Sequence, residues 1–255
     1  MHRAMALLTL ALSLYPRASF GASNASLAFW QKAILQLTAV PAEPNWSSSS
    51  LSFQGPGFAS CRVRFCLPQD SSLPPVLYLL DRDKPEWFHA GSTHAWVALD
   101  TRELRKGYAW GDPTRHPMYR IAMIAERSLE LLLARTSVTR AGLVGEGSGA
   151  TAAIALGAMV PDRCRFICAY QPTALPGPAY FDPAQLARVV QTPTLVGVST
   201  HGKTASTETA LQTYEQLNCE KELAQLPSTR RGTSSELKVW QDMWHEWAND
   251  TINAR

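Results

Sequence analysis

The stretch Val144-Gly145-Glu146-Gly147-Ser148-Gly149-Ala150 closes a short apolar run and opens into the small-residue sequence TAAIALGAMV. Its spacing is that of a nucleophile turn, in which a serine sits on a strained strand-to-helix bend with small residues two before and two after it. Two registers compete. With residue 147 at the vertex the flanks are Gly145 and Gly149, as the crowding demands; with Ser148 there they are Glu146 and Ala150, and a glutamate fits badly. The better register places Gly147 where the hydroxyl belongs. Acyl transfer also needs an imidazole to take the serine proton and a carboxylate to orient that imidazole. His245, in MWHEW, is the candidate base, and Ser148 is the candidate nucleophile of the shifted register, with Asp242 or Asp182 as orienting acid. Each also has a plainer reading: Ser148 as a helix N-cap, His245 as a packed histidine between tryptophans, Glu246 as a solvated charge. His201 and His245 lack a third ligand, so neither a metal centre nor a cofactor is indicated.

The elements that must position these residues follow from pattern. Apolar, β-branched or aromatic runs at CRVRFCL, PVLYLLD, HAWVALD, RAGLVG, RFICAY, PTLVGVS and ELKVW read as strands. Helical patterns fill the intervals at Tyr119 to Arg135, Ala150 to Val160, Pro183 to Val190 and Ser206 to Leu217. This alternation predicts an α/β fold, a mostly parallel sheet with helices on both faces and ligand chemistry at the carboxyl ends of strands. Upstream, SLAFWQKAILQL sets Leu27, Trp30, Ile34 and Leu37 on one helical face, and NWSSSSLSFQGPG reads as an exposed linker.

The segment from about Pro75 to Glu246 resembles the acetyl xylan esterase and cephalosporin deacetylase group of α/β-hydrolases, most strongly from Tyr119 through Arg163. That group carries three short motifs, Arg-Gly-Gln, Gly-x-Ser-Gln-Gly and His-Glu. Arg102-Glu103-Leu104 stands in place of the first and Gly145 to Gly149 in place of the second; His245-Glu246 matches the third and is expected just after the last strand. The resemblance puts the family's acid on or beside Gly202, in Thr200-His201-Gly202-Lys203. It also puts the oxyanion loop at Asp81-Arg82-Asp83-Lys84-Pro85, where the family has a His-Gly turn. Nucleophile, acid and oxyanion loop are thus all altered, which implies an α/β-hydrolase-like protein without catalysis, in a binding or accessory role. The alternative is an active serine carboxylesterase, a deacetylase, using Ser148 and His245. A carbohydrate or small ester is the implied ligand, with Trp87, Trp96, Trp110, Trp240, Trp244 and Trp247 as candidates to stack on a sugar. Because the family holds serine in the same strained turn, Gly147→Ser is expected to fold with a modest loss of stability.

Composition bounds the rest. At 255 residues and 45% hydrophobic, the chain suits one domain with a substantial core. A net charge of +3 without a basic, aromatic-interleaved face argues against nucleic acid. His2 and Arg3, the apolar run Ala4 to Leu14 and the small residues up to Ala25 form an export signal, with cleavage expected within Ala22 to Ser26 and a secreted or periplasmic product. No later stretch is long and apolar enough to span a bilayer. The expected organisation is a signal over 1–25, a helix and linker over 26–55, and the hydrolase-like domain over 56–255. Cys61 and Cys66 share one strand-like run and are too far apart to bond, and an odd total of five leaves at least one thiol free.

Overall fold

The computed structural model describes residues 21–40, 44–47, 50–55, 58–68, 74–81, 94–102, 104, 112–200, 205–226 and 234–253. The described residues form nine strands: β1 (Asn45–Trp46), β2 (Ser50–Gly55), β3 (Phe58–Cys66), β4 (Val76–Leu80), β5 (Trp96–Asp100), β6 (Ala141–Glu146), β7 (Cys164–Tyr170), β8 (Thr194–Ser199) and β9 (Lys221–Leu226). Six helices accompany them: α1 (Gly21–Thr38), α2 (Pro117–Thr136), α3 (Ser148–Met159), α4 (Pro183–Ala187), α5 (Ala205–Gln216) and α6 (Ser234–Asn253).

All nine strands join one sheet in the order β1-β2-β3-β5-β4-β6-β7-β8-β9. From β5 to β9 every pairing is parallel, and β1 to β3 add an antiparallel flank. The expected α/β architecture is therefore present. Side chains alternate across the pleat: Leu77 and Leu79 enter a core beneath α1 to α5, while Val76, Tyr78 and Leu80 enter a second core beneath α6. Strands buried on both faces need residues without exposed polar groups at every position, which is why PVLYLL and AGLVG run without a charge.

Two expectations are corrected. The supposed linker after Pro44 contains β1 and β2, because Leu51 and Phe53 alternate inward and pair with β3. ELKVW is not a strand but part of α6, and Leu237, Trp240, Trp244 and Ala248 recur at helical spacing to fill the second core. The last strand is instead KELAQL, whose alternation of charged and apolar residues suits a sheet edge with one face in water. Cys61 and Cys66 both lie in β3, and all five cysteines are free thiols. Residues 1–20 lie outside the described residues, and α1 begins at Gly21 as a continuous helix through the expected cleavage window.

Candidate functional site

The strand order reverses between β4 and β6. The chain moves from β4 outward to β5, then crosses back over β4 to begin β6 and proceeds the other way. The carboxyl ends of β4 and β6 therefore flank a crevice, the usual place for a ligand in an open parallel sheet. Asp81 follows β4 there, and Gly147 follows β6.

Gly147 has φ 56° and ψ −120°, a conformation that side-chain-bearing residues rarely adopt. The flanks are equally constrained. A Cβ on Gly145 would lie 2.5 Å from the Gly149 carbonyl oxygen, and one on Gly149 would collide with the backbone of Leu79, 2.6 Å from its carbonyl carbon. Three glycines at alternate positions thus meet the demands of a nucleophile turn with residue 147 at the vertex.

Hydrogen bonds brace the turn from both sides. Gly147 N–H donates to the Tyr170 carbonyl at 3.0 Å, and the Gly147 carbonyl accepts from the amides of Thr151 at 3.2 Å and Thr173 at 3.3 Å. Thr151 Oγ1 donates to the Thr173 carbonyl at 2.8 Å and accepts from the Thr173 amide at 3.0 Å. Gln171, directly after β7, is itself held at φ 45°. Nearby, the buried Tyr170 hydroxyl donates to the Glu236 carboxylate, which ties the start of α6 to the carboxyl edge of the sheet.

Ser148 is fully buried at the first position of α3, with Gly147 as the N-cap. It is therefore not the N-cap itself. Its Oγ lies 3.0 Å from Thr101 Oγ1, and Thr101 Oγ1 donates to the Leu80 carbonyl at 3.1 Å. With the single threonine proton engaged, Ser148 donates to Thr101, so its hydroxyl is turned into the protein between β4, β5 and α3.

The structure does not bring Ser148 and His245 together. His245 lies in the second half of α6, not just after a strand. It stacks on Trp244 at 3.8 Å between ring centroids and stands edge-on to His94 at 5.8 Å. It also lines a small apolar recess with Pro74, Val76 and Phe166. Pro74 and His94 precede β4 and β5, so His245 sits at the amino edge of the sheet, whereas Gly147 and Ser148 sit at the carboxyl edge. The five residues of β4 span roughly 16 Å between those edges. Burial lowers the His245 imidazole below its ordinary pKa, against the pull of Asp242. Burial, with the charge of His245 second, brings His94 down to about 4.

Other expected participants are placed as follows. Asp182 caps α4, accepting from the Ala184 amide at 2.9 Å, and Asp242 is exposed on α6. Arg102 forms a bidentate pair with Asp100, Nη2 to Oδ2 at 2.7 Å and Nε to Oδ1 at 3.1 Å. Trp240 and Trp244 are core residues, 0% and 1% exposed, and Trp96 is buried with them, so these three offer no stacking face. Glu103, Trp87, Trp110, His201, Gly202 and residues 82–85 of the expected oxyanion loop lie outside the described residues. The described connector that follows β7 at the carboxyl edge, residues 171–182, contains no histidine. His116, near that edge, is committed to the fold: its Nε2 donates to the Pro176 carbonyl at 2.9 Å and its Nδ1 accepts from the Met118 amide at 3.1 Å. Among the described residues no group of three or more His, Cys, Asp or Glu could hold a metal ion, and no helix is long and apolar enough to cross a membrane.

Sequence reasoning missed the roles of Asp81 and Thr101. Among the described residues Asp81 is the one nearest the vertex: a side chain on Gly147 would run into its carboxylate, with Asp81 Cγ at 3.1 Å and Cβ at 3.2 Å from the new Cβ. The signal was an acidic residue directly after the apolar run of β4, but nothing local says that it faces the end of β6.

No protein-family model and no curated protein matches the sequence. Solved structures do match in architecture. An acetyl xylan esterase from a Paenibacillus species superposes with a TM-score of 0.73 at 15% identity, over 93% of this chain and 97% of that one. Acetyl xylan esterase 1 from a Thermoanaerobacterium species gives 0.67 at 15% identity, over 88% and 92%. A dienelactone hydrolase from Anabaena variabilis gives 0.58 at 16% identity, over 80% and 97%. The chain therefore has the α/β-hydrolase fold and resembles acetyl xylan esterases in its architecture.

Proposed function

We propose that this is an exported α/β-hydrolase-fold protein whose catalytic centre has been dismantled and which serves a binding or accessory role. One observation carries the reading: the vertex of the nucleophile turn is a glycine, and the Asp81 carboxylate stands where that residue's side chain would lie. A serine hydrolase needs hydroxyl, imidazole and carboxylate in contact, and losing the first two together leaves only binding and residual electrostatic help. The resemblance to acetyl xylan esterases suggests a carbohydrate or a small ester as ligand.

The test is turnover of p-nitrophenyl acetate by the whole protein, with heat-denatured protein and Ser148→Ala as controls. The expected rate equals that of denatured protein. Saturable turnover abolished by Ser148→Ala would establish the serine carboxylesterase reading instead.

Export rests on the order of charge, apolar run and small-residue exit at the N-terminus. Sequencing the N-terminus of secreted or periplasmic material should read a first residue within Ala22 to Ser26. Protein recovered from the cytoplasm with Met1 attached would overturn it.

A further inference from the structure

We infer that Asp81 is a built-in plug of the dismantled centre, a carboxylate that takes the place of the missing nucleophile and closes the vertex to any side chain. This deepens the reading of a non-catalytic centre and rests on it for its meaning. Three observations support it. Gly147 keeps the strained backbone of a nucleophile position although no nucleophile is present, so the turn's geometry has been retained while its contents changed. The space above that position is occupied, since a Cβ on Gly147 would overlap Asp81 Oδ2 and lie 3.1 Å from Asp81 Cγ and 3.2 Å from Asp81 Cβ. Asp81 is also anchored at its root: the Leu80 carbonyl just before it accepts from the Thr101 amide at 2.8 Å and from the Thr101 hydroxyl at 3.1 Å.

The charge has a reason to stay. A carboxylate beside the first turn of α3 meets the positive end of the helix dipole, which favours an anion there. In an esterase that same electrostatic asset stabilises the oxyanion that develops in acyl transfer. Here the chain spends it on its own side chain. An acyl substrate would meet a negative charge where its oxyanion must form, and a serine at position 147 would have no room for its Cβ unless Asp81 moved. A side chain at 147 thus meets two costs, the strained left-handed backbone and the displacement of Asp81, so Gly147→Ser is expected to lose more stability than the strain of the turn alone would take.

The experiment is a double-mutant cycle on the full chain read by melting temperature, with Gly147→Ala introduced into the natural protein, into Asp81→Asn and into Asp81→Gly. Overpacking of this kind should make the Gly147→Ala loss larger by about 4 °C or more with aspartate or asparagine at position 81 than with glycine. Equal losses in all three backgrounds would overturn the plug. A larger loss with aspartate than with asparagine would also overturn it in its steric form. If Gly147→Ala does not fold with aspartate at 81 but folds with glycine there, the plug stands. Should it fold in no background, the Asp81→Gly single variant decides by amide NMR: shifts concentrated at Gly147 and Ser148 support the plug, and their absence overturns it. None of these readouts depends on turnover. Esterase activity in the natural protein would sink the non-catalytic reading alone, and an uncoupled cycle would sink the plug alone.

Discussion

Tyr78 and His94 are buried and, with the half-buried His245, form an aromatic cluster at the amino edge of the sheet. Tyr78 Oη and His94 Nε2 are 2.8 Å apart, and Tyr78 is pushed above its ordinary pKa, chiefly by burial. Because His94 is brought from 6.5 down to about 4, the unfolded chain binds more protons than the folded one between those values. Its contribution to stability is therefore complete above about pH 6.5 and is lost as the pH falls toward 4, a change of up to roughly 3 kcal/mol. Glu126 works in the opposite sense. Burial raises its carboxyl to about 7 against the pull of Arg163, whose Nη1 lies 2.7 Å away, so its linkage weakens the fold as the pH rises from 4.5 toward 7. The two must be separated by substitution. In urea denaturation, a His94→Gln variant should lose less stability than the natural protein between pH 7 and pH 4.5, and the His94 ring carbons should titrate near pH 4. Titration of His94 near 6.5 would contradict the packing described.

At the scale of elements, α1 is docked by specific bonds as well as by apolar area. Trp30 is 1% exposed, packs edge-on against Phe181 at 5.5 Å, and donates its Nε1 proton to the Tyr180 carbonyl at 2.9 Å. At the other end of the helix, Arg127 from α2 donates to the carbonyls of Leu37 at 2.5 Å and Val40 at 2.7 Å, satisfying groups that a helix end leaves open. Removing the indole should cost about 3–5 kcal/mol, and Arg127→Met about 1–3 kcal/mol through buried unpaired carbonyls. Equilibrium denaturation measures both, and a Trp30→Ala loss below about 1 kcal/mol would show that α1 is not part of the cooperative unit. Cleavage at the proposed export site would remove at most residues 21–25 of α1 and leave Trp30, Ala33 and Leu37 in place.

At the scale of the whole molecule, the parallel sheet sorts residues to two edges. Glu236, at the start of α6, reaches Tyr170 at the carboxyl edge, and Asn249 and Ile252, near its end, reach the recess beside Pro74 at the amino edge. A helix returning antiparallel to the strands carries its later residues away from the crevice by 1.5 Å per residue. His245 therefore lies far from the elbow even though it is close to the tryptophans that hold α6 on the sheet. The switch point, by contrast, brings Asp81 and Gly147 together from strands separated in sequence by all of β5 and α2.

The sequence by itself determined the α/β class, six of the nine strands, and the register of the elbow. Alternating apolar runs and helical patterns encode burial locally, and the Gly145, Gly147, Gly149 spacing encodes crowding locally. Locally ambiguous segments were misread. ELKVW suits a strand or one face of a helix, and only the Trp240, Trp244 and Ala248 periodicity against β8 and β7 decides for the helix. KELAQL and the segment around Leu51 carry too much polarity to announce themselves, because edge and flanking strands bury a single face. Contacts across the sheet were not legible at all. That His245 faces His94 and not Ser148, and that Asp81 fills the space above Gly147, follow from strand order and helix direction, which depend on how distant segments pack together.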